Sequence, residues 1–151
     1  MGDYKHHDTT WKTSSNDFDK AKSLTKDNSG ANLWVFLTGS RDPKGPLGRA
    51  SISGICDKDT ELRSSLSCYD GTVVATAMIV AHETGHNLGM NHDFIHNINN
   101  PRTFKGESCN NKGIMSYGRK PKVWSKCSRN DFLARYNEDL KDNQWCLKGN
   151  H

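Results

Sequence analysis

The stretch Ala81–Asp93, AHETGHNLGMNHD, leaves few ways to fold. His82 and His86 are four residues apart, so on a helix they share one face, about 6 Å along the axis. Two imidazoles in that arrangement can bind one zinc ion. Glu83 is turned about 100° around the helix from His82, within reach of a water on the metal without being a ligand. His92 could not join them on a continuing helix, where it would lie roughly 15 Å along the axis from His82. The helix must therefore stop and the chain must turn back. Gly89 stands where that break is needed, and glycine accepts the left-handed backbone of a sharp helix end. The spacing His-Glu-x-x-His-x-x-Gly-x-x-His thus predicts a three-histidine zinc site with an open fourth position. A bare HExxH arises by chance in on the order of 2% of chains this long. With Gly89 and His92 added, the chance falls to on the order of one in ten thousand, which decides for a metal site.

The apolar run Val73–Val80 ahead of the motif predicts one helix from about Thr72 to Leu88. A short helix is expected over Asp17–Lys26, where Phe18, Ala21 and Leu24 repeat at helical spacing. Asn32–Thr38 reads as a buried strand and Arg41–Gly48 as a loop rich in proline and glycine. Ala50–Cys56 alternates small polar and apolar residues, as a half-exposed strand does. A polar loop follows over Asn97–Gly113, and a last helix over Arg129–Leu140 with Ser128 as its cap.

A chain of 151 residues with 33% apolar content forms one domain with a modest core, which crosslinks or metal would support. No run approaches the roughly 20 apolar residues that cross a bilayer, so no membrane span is expected. The start, Met1–Asp8, is polar and lacks a secretory signal, so residues 1–16 are expected to be a flexible N-terminal segment of a kind added for expression. Five cysteines at wide spacings, with no CxxC, suit disulfides and an oxidising compartment, and the odd count leaves one thiol over. The net charge of +4 is uneven: Arg102–Lys148 holds eleven Lys and Arg against five Asp and Glu. That half offers a surface for an anionic matrix, although charges so scattered favour an ordinary solvated face. No nucleic-acid partner is expected.

HETGHNLGMNHD followed by GIMSYG resembles the metzincin metallopeptidases, marked by the long zinc motif and a methionine turn beneath the metal. Asp93, directly after the third histidine, resembles the reprolysin (adamalysin) branch: the ADAM and ADAMTS proteins and the venom and salivary enzymes. LTGSRD, GRASISGIC and VWSKCSRNDFLARYNEDLKDNQWCL extend the resemblance over roughly residues 31–147. It implies a zincin-like α/β catalytic domain over residues 17–151. Its sheet would be mixed and mostly parallel with an antiparallel edge strand, beside a long active-site helix and a C-terminal helix. The N-terminal elements would be shortened or missing, because too few residues precede Asn32 for them.

The resemblance also assigns roles. His82, His86 and His92 would bind one zinc ion, and Glu83 would take the proton of the attacking water and pass it to the leaving amine. Met115 would be the structural methionine of the turn. Ala50, Ser51, Ile52, Ser53, Gly54 and Ile55 would form the edge strand that pairs with an extended polypeptide substrate. Tyr117, two residues after Met115, has the spacing at which related metzincins bring a tyrosine to the zinc; packing beside the turn is the plainer alternative. Cys56 would pair with Cys146 and Cys109 with Cys127, leaving Cys68 as a free thiol or an intermolecular bridge. Arg119–Trp124 would line the specificity pocket. Calcium is not expected, because the family's calcium sites draw acidic groups from the missing part. Thr84, where relatives carry an aliphatic residue, is expected to matter little to the metal. The implied function is a secreted zinc endopeptidase acting on extracellular proteins. The alternative is a secreted, zinc-loaded binding protein of the same fold with little or no proteolytic activity.

Overall fold

The computed structural model describes residues 12–26, 30–41, 43–93, 109, 113–117 and 123–137. Helix α1 (Ser15–Ser23) starts two residues before the expected Asp17, because Ser14 caps it by accepting the Asp17 N–H at 3.2 Å. The Asp17 carboxylate accepts in turn from the Ser14 hydroxyl at 2.9 Å and from the Lys12 N–H at 3.0 Å. These bonds, the one from Lys12 foremost, hold the Asp17 carboxyl below its ordinary range. Phe18 and Ala21, one turn apart, form the buried face. Residues 12–16, expected in the flexible end, belong to the fold. Thr13 is fully buried, its hydroxyl donates to the Pro46 carbonyl, and its own carbonyl accepts from Arg49 Nε at 2.9 Å.

Strands β1 (Trp34–Thr38), β2 (Gly48–Ala50) and β3 (Ser64–Cys68) form a sheet in the order β1-β3-β2. β1 runs parallel to β3 and β2 antiparallel, so the sheet is mixed as expected, with one pair of each kind among the described residues rather than a parallel majority. β1 is not buried on both faces: Val35 and Leu37 are exposed. β3 is the buried strand, every residue of it, although its sequence is Ser-Ser-Leu-Ser-Cys. Small side chains let helices approach closely, and both α1 and α2 (Val73–Asn87) pack on it. The sequence offered too little apolar signal at β3 to announce it, and likewise missed the 3-10 turn at Thr60–Leu62.

The expected strand over Ala50–Cys56 ends at Ala50. Beyond it the chain leaves the sheet to close the C-terminal end of α2. Ser53 N–H donates to the His86 carbonyl at 2.8 Å and Ile55 N–H to the Asn87 carbonyl at 3.1 Å. Both Ser53 and Cys56 take left-handed backbone there, with φ of 60° and 61°. The buried Asn87 amide bridges the same two regions, donating to the carbonyls of Ser51 at 2.9 Å and Ser64 at 3.0 Å. The orphan carbonyls of a helix end need donors, and here that demand overrides a strand-like alternation.

The last helix, α3 (Lys126–Arg135), starts three residues early, capped by Ser125 and not by Ser128, and the expected residues 138–140 lie outside the described residues. Cys109 and Cys127 are disulfide-bonded, as expected. Cys56 is disulfide-bonded too; Cys146, its expected partner, lies outside the described residues. Cys68 is a free thiol, fully buried at the end of β3. Burial pushes that thiol up from its ordinary range, and burial sets it apart from any bridge to another chain.

Candidate active site

Thr72 opens α2 by accepting the Ala75 N–H at 3.1 Å, and the helix carries His82, Glu83 and His86 in its last two turns. Gly89 then breaks it with φ of 88°. The Gly89 N–H returns to the His86 carbonyl at 2.9 Å and the Met90 N–H to the Gly85 carbonyl at 2.9 Å, the paired bonds of a Schellman stop. The chain reverses and His92 comes back to the helix. The three histidines present one ring nitrogen each within 4.8 Å of one another.

The tautomers follow from their partners. A carbonyl can only accept, so His82 Nδ1 donates to the Ile114 carbonyl at 2.8 Å and His86 Nδ1 to the Met90 carbonyl at 2.9 Å. That leaves the Nε2 lone pairs of both rings free. They face His92 Nε2 at 3.2 Å and 3.1 Å. Burial first, and His82 second, holds His86 near a pKa of about 4 and lowers His92, so these rings are neutral at physiological pH. One ring proton can serve only one such pair; a cation satisfies all three nitrogens. Around a tetrahedral zinc the ligand nitrogens lie roughly 3.3 Å apart, close to these spacings. The donor set fits zinc.

Glu83 is 6% exposed, and burial pushes its carboxyl up to about 8, with the Arg49 charge pulling the other way. Its carboxylate lies over the first residue of β2: a Cβ built on Gly48 would stand 2.5 Å from Glu83 Oε1. The acid expected to move protons therefore sits against β2, of which only Ala50 belongs to the segment Ala50–Ile55 expected to hold substrate. Met115 is fully buried, and a Cβ on Gly85 would stand 2.5 Å from its sulfur and 3.1 Å from the Trp124 ring. Glycine at position 85 leaves the space in which the Met115 side chain packs beneath α2. Of the segment expected to line a specificity pocket, residues 119–122 lie outside the described residues; Trp124 packs toward Gly85 and not away from it. Tyr117 is 76% exposed, its ring centroid 4.8 Å from that of His92 and 6.0 Å from that of His82. It stands at the mouth of the site.

Asp93 anchors its chain neighbour His92. Buried, it accepts hydrogen bonds from Ser116 Oγ at 3.1 Å, Ser128 Oγ at 3.2 Å and Ser125 Oγ, while its N–H donates to the Met115 carbonyl at 3.1 Å. A carboxylate beneath the N-terminus of α3 also meets the positive end of that helix. Sequence reasoning noted Asp93 only as a family mark. It missed Gly48 altogether, for nothing in the spacing of Gly48 and Glu83 says that they touch.

The family model described as Metallo-peptidase family M12B Reprolysin-like matches residues 4–137. The chain belongs to this family. Among similar proteins, this reprolysin-like domain is 34% identical over 112 residues to human "A disintegrin and metalloproteinase with thrombospondin motifs 6", covering 68% of the chain and 9% of that protein. It is 34% identical over 103 residues to the human protein of the same series numbered 10, covering 62% of the chain and 8% of that protein. It is 32% identical over 105 residues to snake venom metalloproteinase trimerelysin-2 of Protobothrops flavoviridis, covering 68% of the chain and 48% of that protein. The domain therefore spans less than a tenth of the two human relatives and about half of the venom enzyme. No described helix is long and apolar enough to cross a membrane.

Proposed function

We propose that this reprolysin-like domain is a secreted zinc-dependent endopeptidase that cuts extended segments of extracellular proteins. The observation that carries the reading is the convergence of three ring nitrogens, two of them with lone pairs fixed inward by carbonyl partners. His82, His86 and His92 would hold the ion, and zinc so held supplies Lewis acidity that polarises a carbonyl and lowers the pKa of a water. Burial alone favours the protonated Glu83 at neutral pH. The charge of a bound zinc would favour its ionised form, which would accept the proton of the attacking water and deliver it to the leaving amine. An extended substrate adds to the edge of β2 that no described strand covers, so main-chain hydrogen bonds place its scissile bond beside Glu83. The Tyr117 hydroxyl, at the mouth of the site, donates a hydrogen bond to the oxygen on which negative charge develops. The disulfide Cys109–Cys127 supports an oxidising, extracellular setting.

The test is metal content and cleavage measured together. Purified protein should hold about one zinc per chain and cut gelatin or casein, and a zinc chelator should stop the cutting. His86→Ala should lose most of the metal; full retention would refute the ligand assignment. If the fully zinc-loaded wild type cuts nothing, the protein is a zinc-loaded binding protein and not a peptidase. For Tyr117→Phe, an unchanged kcat would dispose of the oxyanion role.

A further inference from the structure

The segment that brings His92 back from the helix end, Gly89–Asp93, lies along α3 and is held by it at three successive places. Near the start of α3, Ser125 and Ser128 bind the Asp93 carboxylate. In its middle, Asp131 Oδ2 accepts the Asn91 backbone N–H at 2.8 Å and the Asn91 side-chain amide at 3.4 Å. At its end, Arg135 lies under the helix break: a Cβ on Gly89 would stand 2.9 Å from Arg135 Cγ. The same Arg135 donates from Nη2 to the Ser53 carbonyl at 3.1 Å, and Ser53 N–H in turn holds the His86 carbonyl at 2.8 Å.

The two segments run antiparallel and their steps match. Asp131 and Arg135 are four residues apart on a helix, about 6 Å. Gly89 and Asn91 are two residues apart in non-helical chain, whose full reach is roughly 7 Å. Both α3 groups are largely removed from water: Asp131 is 4% exposed, and Arg135 is half-buried. A buried carboxylate on a backbone N–H makes a strong, directional tether.

We propose that Asp131 and Arg135 are positioning residues for the metal site, with α3 acting as the template that fixes where His92 returns to His82 and His86. Neither residue touches the metal ligands' ring nitrogens. They act through Asn91, Gly89 and Ser53. The inference rests on the three-histidine reading of the site.

The test compares Asp131→Asn, Arg135→Lys and their double variant with wild type and with an Arg129→Ala control, whose side chain is exposed on the same helix. Zinc affinity is read by chelator competition and coordination by the visible spectrum of the cobalt(II)-loaded protein. Groups that orient metal ligands typically change metal affinity by 10- to 100-fold, and about that loss is expected in the double variant. Its cobalt(II) spectrum should move toward that of His92→Ala, a shift that a general loss of stability would not give, while the control stays at wild type. The single substitutions are conservative in size, so each remains readable if the double variant does not fold. Zinc affinity and a cobalt(II) spectrum equal to wild type in both single variants would overturn the proposal. If wild-type protein binds neither ion, the three-histidine reading falls and the template role falls with it.

Discussion

Glu83 and Gly48 meet at the point where the ligand helix crosses the edge strand, and the glycine is the space in which the carboxylate lies. Gly48→Ala should force either the carboxylate or β2 to move. Turnover should fall while zinc content stays at wild type, and kcat beside metal analysis checks both. Glu83→Gln keeps size and shape but accepts no proton, so it should retain zinc and fold yet lose about 10²- to 10⁴-fold in kcat. If the glutamine variant cuts as fast as wild type, another group is the base. Cys68 gives a residue-scale check on the core. Its raised thiol should leave it unreactive toward a thiol reagent in the folded protein at neutral pH, with one equivalent appearing on unfolding. Because the folded value is raised, the stability this thiol contributes is complete below its ordinary value of 9.0 and is lost as pH rises through the raised one.

At the scale of elements, α3 depends on one serine. Ser125 accepts the Ser128 N–H at 3.0 Å and donates to Asp93, so it caps the helix and fastens it to the residue that follows His92. Ser125→Ala should cost about 2 kcal/mol, the upper end for a lost cap, because a buried carboxylate loses a donor as well. Urea unfolding measures it. The cap also shows where the sequence was ambiguous: Ser125 and Ser128 are both good caps, and only the tertiary position of Asp93 decides between them. α2 was legible to within a residue at each end, since its apolar run, its threonine and Gly89 all lie in one continuous stretch. β3 was not, because a strand buried under two helices by virtue of small serines carries no apolar pattern. Residues 51–56 carried such a pattern and still form no strand, because the carbonyls of His86 and Asn87 claim the N–H groups of Ser53 and Ile55.

For the whole molecule, the same division holds between what is local and what is distant. His82, His86, His92 and Glu83 stand within eleven consecutive positions, so the convergence of the three rings was legible in spacing alone. Gly48, Asp131 and Arg135 reach the site from elements 35 to 82 residues away from their partners, where spacing carries no information. The Cys109–Cys127 disulfide spans 18 residues, a loop for which chain entropy gives about 3 kcal/mol. Replacing both cysteines by serine should lower the unfolding free energy by about that amount, and an unchanged urea midpoint would show that the bond adds nothing. β2, meanwhile, has only three residues, Gly48–Ala50. At about 3.3 Å per residue, a ledge of that length grips roughly 10 Å of a partner's backbone. On the proposed strand addition, so short a grip would ask little unfolding of a target. A surface loop that frays over three or four residues would already offer enough, so folded proteins with mobile loops, and not only denatured chains, would come within reach.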